Sequence, residues 1–406
     1  MKQLFLLLLL ALLLIGCNQN KSEEAKTDLE NPNYISHRNL LNTEFSKHNF
    51  KTEKQWDSLQ NISIKKKNHP KSKLLPGVRT FGWHIYPNGS VYKNYNFSLL
   101  WGVSYFSYEI QPKTGSYKNI HQWKTTALID SAKTKGCKVF LSVSNFGARN
   151  NRIFLENKKA QKVLGDSLAV LLNQRSANGI NIDFEGVSRK NRKQFSQFII
   201  NISKHLKEVD PNYQVSLCLY AKDWNDIFDI NTIDESIDFY TLMGYDYFGS
   251  FSKITGPVTP FTKTKKFGKG LQSSIDYYHN KGVRFDKLIV GLPYYGAEWY
   301  TKKQKIGSPV NTFKSHPRYH TIKSTYIDSL QIPVQFDPKS SSSYIVMKDF
   351  NNEEYRQLFF EDVKSLSIKY DWIKEKKISG IGIWALGYDD GYEELWDLIA
   401  EKFSEK

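Results

Sequence analysis

Eight times along the chain a short apolar run closes and a stretch of helical period follows, and this rhythm restricts the fold more than any other property of the sequence. The runs occupy residues 78–86, 99–108, 138–144, 179–185, 214–220, 239–245, 288–293 and 380–385. Short apolar runs separated by helix-period segments are what parallel strands joined by crossover helices require. One helical face is explicit in Phe195, Phe198, Ile199, Ile202 and Leu206, at spacings of three and four. Eight strand–helix units over about 330 residues predict an α/β fold of the (β/α)8 barrel type rather than a doubly wound sheet. One spacing breaks the rhythm. Between strand seven, ending at Pro293, and a helix expected to start near Glu354 lie about sixty residues rich in Tyr, Ser and Lys. They predict a small α+β insertion over residues 297–350, beside the barrel mouth.

The amino-terminal residues point to a compartment. Lys2 precedes an apolar run, residues 4–15, that ends in Gly16-Cys17. The run is shorter than the ~20 residues of a spanning helix, and Leu14-Ile15-Gly16-Cys17 is similar to the bacterial lipobox that is cleaved before its cysteine. The expectation is a lipoprotein signal peptide over residues 1–16, a lipid on Cys17, a tether and linker over 17–77, and the barrel domain over 78–406. An uncleaved anchor helix is the alternative, and either places the body outside the cytoplasm. Asn18 and Lys21-Ser22-Glu23-Glu24 look like the charged tethers of surface lipoproteins, so an outer-membrane or cell-surface location in the envelope is expected. Residues 18–43 are polar and aperiodic and read as a disordered tether. A short amphipathic stretch lies around residues 50–59, a basic proline-containing linker spans 65–77, and the folded domain is expected to begin near Val78. Cys137 and Cys218 sit in separate apolar runs and read as buried free thiols rather than a disulfide.

The formal charge of +16 would suit nucleic acid, a polyanionic wall polymer or an anionic membrane surface. Yet the lysines are dispersed, the dense runs being Lys65-Lys66-Lys67 and Lys302-Lys303-Gln304-Lys305, and no nucleic-acid-reading motif accompanies them. A solvated basic face is the reading, with no nucleic-acid partner and a monomeric chain. The nine histidines form no metal-binding spacing, and neither a glycine-rich phosphate loop nor a G-x-S-x-G elbow occurs. No metal and no cofactor are expected.

The chemistry concentrates in Asn178-Gly179-Ile180-Asn181-Ile182-Asp183-Phe184-Glu185, where polar and apolar side chains alternate with period two. Asn181, Asp183 and Glu185 therefore share one face. With Ile180, Ile182 and Phe184 against the helices, the polar face points into the barrel and climbs toward the carboxyl end, where barrel active sites form. Burying two carboxylates costs several kcal/mol unless they are hydrogen-bonded or share protons. The competing reading is a half-exposed edge strand with carboxylates in solvent. The stretch resembles the D-G-x-D-x-D-x-E signature of glycoside hydrolase family 18, the chitinase family, with Asp183 and Glu185 at its last two acidic positions. Asn178 and Asn181 replace the earlier acids, as in the N-I-D-F-E variant of relatives acting on peptidoglycan and spore cortex. Ser142-Val-Ser144-Asn145 resembles the S-x-G-G motif of strand three with both glycines replaced, and Met243-Gly-Tyr245-Asp246 matches the M-x-Y-D motif of strand six. Gly291-Leu-Pro293-Tyr294-Tyr295-Gly296 and Gly380-Ile-Gly-Ile-Trp384 resemble the ends of strands seven and eight. The resemblance spans roughly residues 78–399, and four motifs in order make it specific.

The resemblance implies a substrate-assisted mechanism in which Glu185 protonates the glycosidic oxygen and the substrate's 2-acetamido oxygen attacks the anomeric carbon. Asp183 would orient the acetamide and stabilise the cation. Tyr245 and Asp246 would hydrogen-bond the sugar, and Trp384 would stack beneath it, although core packing is the bland reading for Trp384 and Tyr245. Asn181, Met243, Trp83, Tyr295 and Ser142 complete the expected sugar-binding set. Asn181 is expected to hydrogen-bond Asp183 without competing for charge, keeping Asp183 ionised and Glu185 protonated. The expected function is retaining hydrolysis of β-1,4-linked N-acetylglucosamine glycans, chitin-type oligosaccharide or peptidoglycan, at the cell surface. The alternatives are an endo-β-N-acetylglucosaminidase acting on N-glycans and a non-hydrolytic lectin-like module.

Overall fold

The computed structural model describes residues 36–62, 64, 72–349 and 353–405. The expected signal peptide over residues 1–16, Cys17 and residues 18–35 of the expected tether lie outside the described residues. Eight parallel strands form in the expected places: β1 (Arg79–Ile85), β2 (Gly102–Ile110), β3 (Lys138–Phe146), β4 (Gly179–Glu185), β5 (Gln214–Leu219), β6 (Phe239–Met243), β7 (Leu288–Pro293) and β8 (Gly380–Trp384). Each pairs with its neighbour in sequence, and β1 pairs with both β2 and β8, so the sheet closes into a barrel. A short strand, Tyr117–Asn119, adds antiparallel to the end of β2.

Helices cover the outside because alternate strand residues are apolar. Phe184 of β4 stacks on Phe195 and Phe198 of the helix Arg192–Val209 at 5.7 and 5.2 Å. Phe195, Phe198, Ile199, Ile202 and Leu206 are all buried, each contributing about 1.5–3 kcal/mol relative to exposure. The first crossover departs from the rhythm, since β1 and β2 are joined by three 3-10 turns, Tyr86–Asn88, Val91–Asn94 and Phe97–Leu99, with no α-helix.

Inside, the barrel is filled in layers. At the amino-terminal end Phe81, Phe140 and Phe239 meet edge to face at 5.4–5.7 Å and form an apolar floor. Above it Trp83 crosses the interior, and glycine at 382 makes room for it: a Cβ there would stand 3.0 Å from the indole and 3.2 Å from the Gly291 backbone.

Two expectations about domain limits are corrected. Folded structure begins before Val78: helices His37–Phe45 and Glu53–Gln60 pack on the barrel. Trp56, 1% exposed, meets Tyr86 at 5.3 Å, and the Asp57 carboxylate accepts from the Ser90 backbone N–H (2.7 Å) and hydroxyl (2.8 Å). These helices are short, with two or three large apolar residues each, too few to show a period. The insertion extends past residue 350. It is a five-stranded antiparallel sheet in the order Thr312–Ser315, Ala297–Thr301, Glu354–Phe360, Ser342–Asp349, Gln335–Asp337. Glu354 therefore opens a strand, and the helix starts at Val363. Asp362 caps that helix, accepting from the Ser365 N–H while Ser365 answers the Asp362 N–H.

Candidate active site

Period-two alternation places the acids as expected: Asp183 and Glu185 are on the inner face of β4, 1% and 8% exposed, at its carboxyl end. The Glu185 backbone is held firmly. Its carbonyl accepts from the Gly147 N–H at 2.9 Å and from Asn151 Nδ2 at 2.7 Å. Asn151, wholly buried, in turn accepts from Asn145 Nδ2 at 3.0 Å. Asn145 is one of the two residues that replace glycine in the strand-three motif. Here its amide joins the bracket that holds β4. Beside the acid, Tyr220 donates to the Phe184 carbonyl at 2.6 Å. Burial and the negative charges of Glu185, Asp223 and Asp183 push its hydroxyl well above the usual range, so it stays protonated.

One register step below Asp183 lies a layer of neutral polar groups. Asn181 Oδ1 accepts from Trp83 Nε1 (2.8 Å) and from the Cys218 thiol (3.3 Å), while Nδ2 donates to Ser216 (2.9 Å) and Thr241 (3.4 Å). The amide is thereby fully engaged, and the expected hydrogen bond from Asn181 to Asp183 is not formed. Ser142 sits level with Asn181 and shares a 2.7 Å hydrogen bond with Ser104. Trp83 and Ser142 thus line the barrel interior beneath the carboxylates rather than its mouth. Cys137, just before β3, and Cys218, within β5, are both buried and are not joined in a disulfide.

Across the mouth stand Tyr245 and Asp246, just beyond β6, with Tyr295 beyond β7 and Trp384 ending β8. Tyr245 lies near-parallel to Trp384 with centroids 6.3 Å apart. Trp384 also meets Trp83 at 5.9 Å and Phe106 at 5.3 Å. Asp246, in the left-handed region at φ 56°, accepts the Tyr295 hydroxyl at 2.5 Å. Met243, at the end of β6, is buried beside them. Non-proline cis peptides occur at Phe106–Ser107 and Trp384–Ala385. Among the described residues no group of three or more His, Cys, Asp or Glu could hold a metal ion. The arrangement offers a buried acid, a neighbouring carboxylate and aromatic walls, a site suited to protonating a leaving group and stabilising a cation.

The family model described as "Glycosyl hydrolases family 18" matches residues 80–389. The chain belongs to that family. As a family 18 member it is a glycoside hydrolase, and its sequence is 29% identical over 287 residues to the uncharacterized glycosylase YvbX of Bacillus subtilis (strain 168), across 68% of this chain and 77% of that protein. It is 26% identical over 249 residues to the putative sporulation-specific glycosylase YdhD of the same organism, across 58% of this chain and 54% of that protein. The cortical fragment-lytic enzyme of Bacillus subtilis is 21% identical over 289 residues, 68% of this chain and 62% of its own length. The chain thus spans less than two thirds of the latter two relatives. Among solved structures, a family 18 chitinase from Cycas revoluta superposes with a TM-score of 0.71 at 17% identity, covering 80% of this chain and 99% of the other.

Several residues around the site carry no motif and escape sequence reasoning. Asn151 and Tyr220 act through contacts across strands. Trp224 is 79% exposed in the loop after β5 and belongs to none of the motifs; a lone tryptophan in an otherwise polar stretch is the signal that could have found it. Its loop is tied to the loop following Glu185, Asn225 donating to the Val187 carbonyl at 3.3 Å. His37, from the expected tether, lies at the mouth itself: its backbone N–H donates to Asp246 Oδ2 at 2.9 Å.

Proposed function

We propose that this chain hydrolyses β-1,4-linked N-acetylglucosamine glycans, chitin-type oligosaccharide or peptidoglycan, with retention at the anomeric carbon. The observation that carries the reading is the pair Asp183 and Glu185, buried two residues apart on the inner face of β4. They share the carboxyl end of the barrel with Tyr245 and Trp384. Glu185 gives its proton to the glycosidic oxygen as the bond to the anomeric carbon breaks. The substrate's acetamido oxygen forms the new bond to that carbon, and the Asp183 carboxylate stabilises the resulting oxazolinium cation. Water opens the ring from the opposite face and returns a proton to Glu185. Tyr245 and Asp246 hydrogen-bond the sugar, with Tyr295 and Trp384 as its aromatic walls. Peptidoglycan is supported by the likeness to cortical fragment-lytic enzymes and by a net charge of +16, which suits an anionic wall polymer. A lipid on Cys17 would hold the enzyme at the cell envelope, where that polymer lies.

Glu185→Gln tests the reading. Hydrolysis is expected to vanish while oligosaccharide binding persists, because the amide keeps the shape but has no proton to donate. Residual turnover above a few per cent, or a first-formed α-anomer in the NMR spectrum of the products, overturns it. Product masses from chitin oligomers, peptidoglycan and a glycoprotein identify the polymer.

A further inference from the structure

The mouth of the barrel holds a piece of the protein's own chain. Ser36 and His37 are 2% and 3% exposed, inside the site rather than in solvent. The His37 N–H donates to Asp246 Oδ2 at 2.9 Å, on the carboxylate whose other oxygen accepts the Tyr295 hydroxyl. Trp384 Nε1 donates to His37 Nδ1 at 3.1 Å, which fixes the neutral tautomer with its proton on Nε2. The imidazole lies flat on Tyr295, centroids 4.0 Å apart and planes 11° apart, while His316 and Tyr388 present edges at 5.1 and 5.9 Å.

Of these partners Asp246, Tyr295 and Trp384 belong to the proposed sugar site. A peptide N–H stands on Asp246 where a sugar hydroxyl would donate. An imidazole covers the aromatic wall against which a pyranose would pack. Trp384 is 0% exposed and Tyr295 1%, so neither presents a free face to a glycan while His37 is in place. The segment is anchored at its other end, since Phe45 packs on Trp56 at 6.0 Å and the helix Glu53–Gln60 is tied to the barrel through Asp57 and Ser90. Between the segment and the insertion, however, a cavity of about 500 Å³ remains, lined by Leu41, Glu44, Phe45, Phe313, Arg318 and Tyr388. The helix His37–Phe45 is therefore not sealed on that side and has room to swing out.

We propose that residues 36–45 are an autoinhibitory strap, an intramolecular competitor that occupies the glycan cleft and is displaced by substrate. The proposal rests on the reading of this cleft as a glycan site. A tethered competitor acts at high effective concentration, and it reduces the apparent affinity for substrate to the intrinsic affinity multiplied by the fraction of molecules left open. Turnover of the bound complex is unaffected, because no group of the strap takes part in the chemistry.

The test uses the full chain, the His37→Ala variant and the tetramer of N-acetylglucosamine. With the tetramer, His37→Ala is expected to lower KM about tenfold, the effect of a strap closed nine times in ten, at unchanged kcat. Hydrogen exchange supplies a reading independent of turnover. In the free protein the amides of residues 36–45 are expected to be protected, and that protection to be lost in Glu185→Gln saturated with tetramer. An unchanged KM, or protection that persists with the tetramer bound, overturns the strap. If no form binds or cleaves the tetramer, the glycan reading fails on that ligand, and the strap is judged on the free protein alone. There, exchange in His37→Ala as slow as in the parent overturns it, and faster exchange supports it.

Discussion

Asn151 shows how a buried amide far from any motif bears on chemistry. It donates to the Glu185 carbonyl and accepts from Asn145, while Gly147 fills the carbonyl's second site. Asn151→Leu removes one donor and strands the Asn145 amide in the interior, an expected loss of about 1–3 kcal/mol by chemical denaturation. If the bracket positions the proposed acid, kcat falls more than KM rises and the acid limb of the pH–rate profile moves. A lower melting temperature with unaltered kcat and profile would make Asn151 a structural residue only. Asn181 poses a related question, because its amide serves Trp83, Cys218, Ser216 and Thr241 rather than Asp183. Asn181→Asp would put a second carboxylate on the same inner face, two residues from Asp183, and the pair would have to share a proton. The expected result is a folded enzyme with a shifted pH–rate profile. A superimposable profile would confine Asn181 to the framework.

Elements are joined by buried polar links, and one of them joins the insertion to the last crossover helix. Lys369, in the helix Val363–Glu375, meets Glu361 at 2.7 Å with both side chains almost wholly buried, and donates to the Ser341 carbonyl at 2.9 Å. Burial raises the Glu361 carboxyl to about 6 even against the lysine's opposing charge. Lys369→Met removes that charge, so that at neutral pH the buried Glu361 carboxyl must either stay ionised without a partner or take up a proton, an expected cost of about 3–5 kcal/mol. The double variant Lys369→Met/Glu361→Gln is expected to recover most of it, since a neutral pair carries no charge desolvation. Urea denaturation of the two variants decides between this and a lysine that matters only for packing. In the second case the double variant is as unstable as the single one.

The whole molecule should be acid-labile for a reason visible in its histidines. Burial lowers His84 to about 3, His320 to about 4, and His316 below its usual value. A group whose folded pKa is depressed leaves stability intact above its unfolded value near 6.5. As the pH falls below 6.5 the unfolded chain binds protons that the folded one refuses, and stability is lost down to the folded values. Each such histidine contributes a slope of about 1.4 kcal/mol per pH unit within its window. His84, fully buried against Tyr95 at 2.9 Å, has the widest window. His84→Gln is expected to flatten the stability curve between pH 6 and 4 by one proton. A slope unchanged in denaturation measurements at those two pH values would show that His84 titrates normally.

The sequence by itself determined what is periodic. Each barrel strand, the helical face from Phe195 to Leu206 and the inward direction of Asp183 and Glu185 follow from which side of an element is apolar, information that neighbours in the chain carry between them. Family membership was legible in the same way, from motifs that lie along the barrel strands and at their carboxyl ends. Tertiary structure alone decided the rest. The strand Glu354–Phe360 needed its partners in the insertion sheet, and the amide of Asn181 could have turned to Asp183 until Trp83 and Ser216 claimed it. His37 reaches Asp246 across 209 residues and Trp384 across 347. A contact of that span leaves no pattern in the residues beside it, which is why a polar stretch that reads as a tether can end as the occupant of the barrel mouth.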